Sequence, residues 1–131
     1  MRKRPSERDQ RGTAAVEFAL VLPLVLVVVL GLVQVGLLAR DRLLVEAAAR
    51  AGARTAAVEL DAAAVAAAAA TAAPGLDPAV LQVDTQRSGS RGDPVTVSVV
   101  YLDAVRVPLV GWLVGDGVTL TATAVTRQEF A

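Results

Sequence analysis

Residues 11–38 read RGTAAVEFALVLPLVLVVVLGLVQVGLL, and this stretch decides the fold. From Phe18 to Leu38 the only strongly polar side chain is Gln34. A helix of that length crosses the roughly 30 Å hydrocarbon core of a bilayer. Its flanks set its direction. Residues 1–12 carry Arg2, Lys3, Arg4, Arg8 and Arg11 against Glu7 and Asp9, whereas Arg40-Asp41-Arg42 beyond the run nearly balance. The basic flank predicts a cytoplasmic N-terminus and an extracytoplasmic remainder. The chain thus divides into a basic leader over 1–12, a transmembrane helix over 13–38 and an extracytoplasmic part over 39–131. An ordinary secretory signal peptide is the competing account. Its apolar region would be unusually long, and no small-x-small cleavage site follows directly.

One carboxylate, Glu17, sits just inside the apolar run. Ionisable groups near hydrocarbon are costly and point to a function with a nameable partner. If the chain were cut after Gly12, the new amino group on Thr13 would supply a positive charge four residues before Glu17 on the same helix face, or toward Glu17 of a neighbouring subunit. The bland account of Glu17 is a polar residue snorkelling to the headgroups. Pro23 removes a backbone donor and predicts a weak point or kink near the Ala19 carbonyl. Gly31 and Gly36 permit close helix approach but are five apart, so they form no GxxxG pair.

Gly12 followed after four residues by Glu17-Phe18, between a basic arm and an apolar helix, resembles the type IVb prepilin cleavage motif. The stretch RGTAAVEFALVLP, Arg11 to Pro23, is similar more narrowly to TadE-like pseudopilins of tight-adherence (Flp) pilus and secretion systems. The resemblance is close to about Val58 and general beyond. It implies cleavage after Gly12 by a membrane prepilin peptidase, with Thr13 as the first mature residue and Glu17 and Phe18 acting in assembly. It also implies partners: a TadF-like pseudopilin, the major Flp pilin, and the inner-membrane platform with its ATPase. Major pilins of this kind are very short, so the sizeable part after the helix favours a minor pseudopilin.

Composition narrows the function classes. The chain of 131 residues has no cysteine and no histidine, which removes disulfides, thiol nucleophiles, zinc–thiolate sites and the commonest general base. The expectation is no enzyme, no cofactor, no metal and no small-molecule substrate. No basic face is visible in the part after the membrane run, so nucleic acid is not expected as a partner. Arg91-Gly92-Asp93 spells an integrin-binding tripeptide but lies among Ser/Gly turn residues before a strand.

Beyond the membrane, Arg42, Glu46, Arg50 and Arg54 recur every fourth residue, beside a mostly apolar stripe of Leu44, Ala48, Ala51, Thr55 and Val58. The helix is therefore expected to continue to about Leu60, with the charge stripe as a solvated face. Asp61 predicts the cap of a second, alanine-rich helix ending at Pro74-Gly75; a semi-rigid linker is the other account. Strands are expected over Ala79–Gln86, Pro94–Leu102 and Val118–Thr126, where Val95, Val97 and Val99 alternate with Thr96 and Ser98. Pro108 to Val114, with Trp112, reads either as core or as a short element at the membrane surface. The expected class is α+β: a long helix, an alanine-rich helix and a three-stranded antiparallel sheet, similar to a pilin. The functional alternative is an uncleaved single-pass module that binds or senses a ligand outside the membrane.

Overall fold

The computed structural model describes residues 7–106, 111, 115 and 117–129, with side chains from Gly12 onward. The chain is α+β. Helix α1 runs unbroken over Glu7–Val58, 52 residues and so roughly 78 Å long. It begins ahead of Gly12, so the end of the basic leader is already helical. Helix α2 covers Ala62–Thr71, and the Asp61 side chain caps it by accepting a bond from Ala63 N at 2.9 Å. The chain then turns at Gly75, whose φ of 94° is a conformation that favours glycine.

Strands β1 (Leu81–Arg87), β2 (Pro94–Ala104) and β3 (Gly117–Arg127) form one antiparallel sheet in the order β1-β2-β3. The alternation along β2 puts Val95, Val97, Val99, Tyr101 and Asp103 on the buried face. Pairing of Val97 with Ala124 and of Tyr101 with Leu120 sets β3 in the matching register. In the loop between β1 and β2, Asp93 is occupied locally. Its carboxylate accepts from Ser90 N at 2.8 Å and its own N–H donates to Ser90 O. Arg91-Gly92-Asp93 is thus part of a turn, with Gly92 at φ 91°. The stretch 108–114, including Trp112, lies outside the described residues apart from Gly111.

The sheet's inner face packs on α1 and α2. Along the outer part of α1, beyond Asp41, the buried positions are Val45, Ala48, Ala49, Gly52, Ala53, Ala56 and Ala57. The expected stripe of Leu44, Ala48, Ala51, Thr55 and Val58 is rotated from this one: Ala48 is buried, while Val58 is 60% exposed. Side-chain volume decides between the two stripes. Where the β2 valines press on the helix, only alanine or glycine leaves room, and a Cβ on Gly52 would lie 3.1 Å from Val97 Cγ1. Helix α2 closes the cluster with Val65 and Ala69, and Ala73 and Leu76 follow it.

The far end of α1 is tied to the sheet by polar bonds. Arg87 Nη2, at the end of β1, donates to the carbonyls of Ala56 and Glu59. Glu129 N, just past β3, donates to Ala57 O at 2.9 Å. The bonds to the Ala56 and Ala57 carbonyls satisfy groups that the helix terminus leaves without internal partners. The tight contact at Gly52 makes a prediction: Gly52→Val should destabilise the body by about 2 kcal/mol through overpacking. Denaturant unfolding of the full chain in detergent, followed by circular dichroism, measures the loss.

Candidate functional site

Two places on α1 carry unusual chemistry: the junction near its start, and a charged cluster where the apolar run meets the body. At the junction, Gly12, Thr13, Glu17 and Phe18 all lie in helical backbone and are exposed, Phe18 by 67%. Thr13 and Glu17 are four residues apart and share a face. A Cβ added to Gly12 would meet nothing within 4 Å. Gly31 and Gly36, further along the same exposed helix, are equally open, in contrast to Gly52. The helix continues through Pro23, whose missing N–H leaves the Ala19 carbonyl without its usual helical donor.

Large apolar side chains from Val16 to Val33 stand exposed, among them Leu20 at 74% and Leu32 at 67%. A surface of this kind requires hydrocarbon or other helices around it. Protein burial begins earlier than composition suggests. Gln34 is 8% exposed, Leu38 packs against the core, and Asp41 is wholly buried. The body therefore overlaps the end of the apolar run.

The cluster forms around Asp41. Arg106, just beyond β2, donates to Asp41 Oδ2 at 2.6 Å and to Asp103 Oδ1 at 3.0 Å. Arg40 reaches Asp41 Oδ1 at 3.3 Å. Both carboxylates are buried, with Asp103 2% exposed, while the Arg106 side chain is 38% exposed. Burial lifts the Asp103 carboxyl above its ordinary range; Arg106 opposes the rise and the neighbouring Asp41 adds to it. For Arg106, desolvation works against the charge, but the bonds and charges of the two aspartates outweigh it and raise its pKa. The arrangement clamps the end of β2 to α1. Arg40-Asp41-Arg42 looks in sequence like a balanced flank of the membrane run, and Asp103 like a strand end. Their shared partner Arg106 is 65 positions from Asp41, beyond the reach of any local pattern.

No group of three or more acidic side chains is placed to hold a metal among the described residues. The geometry describes an exposed apolar anchor, a carboxylate near its start, and a body fixed to its other end.

Residues 12–54 match the family of TadE-like proteins. No curated protein and no solved structure matches the chain. The TadE-like segment opens on Gly12, takes in the exposed apolar helix and closes at Arg54, within the part of α1 that packs on the sheet. Helix α2 and the three strands lie outside it. The family points to association with the Tad pilus, and the apolar helix fits a single-pass membrane anchor.

The charged clamp makes a prediction with a sign. With its pKa raised in the folded state, Asp103 contributes stability that is complete below the ordinary aspartate value of about 3.9 and is lost as pH rises through the folded value. The advantage of wild type over Asp103→Asn should thus be largest in acid and shrink toward neutral pH. Asp41→Asn should cost about 2 kcal/mol at neutral pH, less than a fully buried pair because Arg106 is partly solvated. Denaturant unfolding of the three proteins across pH checks both.

Proposed function

We propose that the chain is a minor pseudopilin of a tight-adherence pilus or related secretion system, cut after Gly12 by a prepilin peptidase. The observation that carries this reading is that the TadE-like match begins on Gly12, the residue where the leader would end. A mid-helix glycine also weakens the helix by about 1 kcal/mol relative to alanine, which eases unwinding of the scissile bond into a protease.

In this role, cleavage exposes the amine of Thr13, and Glu17 on the same face receives it, within the subunit or from a neighbour. Phe18 and the apolar residues after it pack against other helices in the membrane or in the filament base. Pro23 supplies a point at which the helix can bend or melt as it leaves the bilayer. The N-terminus lies in the cytoplasm and the body outside the inner membrane, in keeping with the basic flank. The partners are the peptidase, a TadF-like pseudopilin, the major Flp pilin and the inner-membrane platform with its ATPase. The chain itself performs no chemistry.

Intact-mass measurement on protein recovered from its native membrane tests the cleavage: a mature chain beginning at Thr13 is expected, and a persistent Met1 or Arg2 start rejects it. Gly12→Ala should remain uncut although the structure accommodates it. Glu17→Ala should be cut normally yet lower pilus output at least tenfold, read by shear-fraction immunoblot. Normal processing and normal output in both variants would overturn the assignment.

A further inference from the structure

Strand β3 lies at one edge of the sheet, and nothing among the described residues pairs with its outer side. Edge strands are ordinarily protected by charge, proline, bulges or short length. The opposite edge, β1, follows that rule, with seven residues that include Asp84 and Arg87. β3 does not. Its eleven residues, GVTLTATAVTR, carry no proline and no charge before Arg127. The outer edge also borders an open groove of about 290 Å³ between α1 and β3, lined by Arg42, Glu46, Ala49, Arg50 and Thr121 to Thr123. The groove is prolonged by a second hollow at Arg50, Arg54, Val125 and Thr126.

The helix side of this groove is the charge stripe Arg42, Glu46, Arg50 and Arg54. Glu46 is shared by Arg42 at 3.6 Å and Arg50 at 3.7 Å, while Arg54 makes no ion pair among the described residues. Three arginines against one glutamate leave an excess of positive charge beside unpaired backbone. The spacing also fits a strand. Four residues along a helix advance about 6 Å, and alternate residues of a strand about 6.8 Å. Every second side chain of an added strand would therefore meet one member of the stripe in turn.

We propose that the outer edge of β3 receives an extended acidic segment of a partner protein as a fourth strand. Its backbone completes the ladder, and its inward side chains read the stripe. For an antiparallel strand, the more stable pairing, the inward positions in order are acidic opposite Arg54, acidic opposite Arg50, basic opposite Glu46 and acidic opposite Arg42. Its outward side chains extend the exposed surface of Thr119, Thr121 and Thr123. A second copy of this chain is a poor occupant, because edge-to-edge pairing of two β3 strands would bring two arginine-rich stripes together. The inference stands apart from cleavage at Gly12, and either can fail alone.

The test uses the full chain in nonionic detergent and a fluorescein-labelled peptide in which threonine alternates with glutamate, glutamate, lysine and glutamate, against a control with glutamate and lysine exchanged. By fluorescence anisotropy the first peptide should bind at least tenfold tighter than the control. The double variant Arg50→Glu, Arg54→Glu should abolish that preference, since each peptide then matches two of the four positions, with an unchanged circular dichroism spectrum because these arginines are exposed. Hydrogen exchange should slow in β3 on binding of the first peptide. Equal binding of the two peptides, binding without slowed exchange in β3, or a dimer of the free chain that protects β3 would each overturn the proposal.

Discussion

Contact between the valines of β2 and the small-residue face of α1 is the interaction on which the rest of the structure depends. Val95, Val97 and Val99 are fully buried, and they reach the helix because Ala48, Ala49, Gly52 and Ala53 leave space for them. β-branched residues suit the strand, and small residues suit a helix that must be approached closely. The arrangement lets a chain with 3% aromatic residues build a closed core. Dispersion and burial here come from many short contacts instead of a few large anchors.

A consequence of using one helix for both anchor and core is that its two halves obey different rules. The first half presents large apolar side chains on all faces and buries none from Gly12 to Val29. The second half replaces them with alanine on the core side and arginine on the other. The change falls between Gln34 and Asp41, where burial starts and the cluster of Asp41, Asp103 and Arg106 closes the base of the body. Two buried carboxylates are desolvated here, while both arginines that reach them, Arg106 and Arg40, stay partly solvated, so the cluster returns little net stability in isolation. The clamp therefore contributes by fixing the end of β2 against one turn of α1, and the valine contact supplies the stabilisation that holds it there.

The strands and the second helix were legible because their signals are local: alternation at Val95, Val97 and Val99, and a capping aspartate at Asp61 followed by Pro74-Gly75. The TadE-like resemblance was legible for the same reason, since the residues that carry it lie within a short stretch from Arg11 to Pro23, and the match over residues 12–54 takes in nearly all of it. The buried stripe of α1 was not. Alanine occupies nearly every face of the outer helix, so hydrophobicity does not choose one, and the choice falls to volume once β2 is in place. Asp41 illustrates a second limit. A charge next to a membrane run looks like a flank, and its burial depends on Arg106 and Asp103, which only the tertiary fold brings near.

The continuity of α1 also links the anchor to the body's surface. Each helical residue turns the chain by about 100°, so an unbroken helix from Glu7 to Val58 relates the face of Thr13 and Glu17 to the face of Arg42, Arg50 and Arg54 by a fixed rotation. Gly12 and Pro23 weaken the helix only in its apolar half, whereas the clamp at Asp41 and the packing at Gly52 hold the half that bears the charge stripe. Bending in the membrane can thus reorient the whole body without disturbing the relation between the α1 arginines and the open edge of β3. The charge stripe beside β3 is thus carried on the half of α1 that the core holds, and the weak points of the helix fall in the other half.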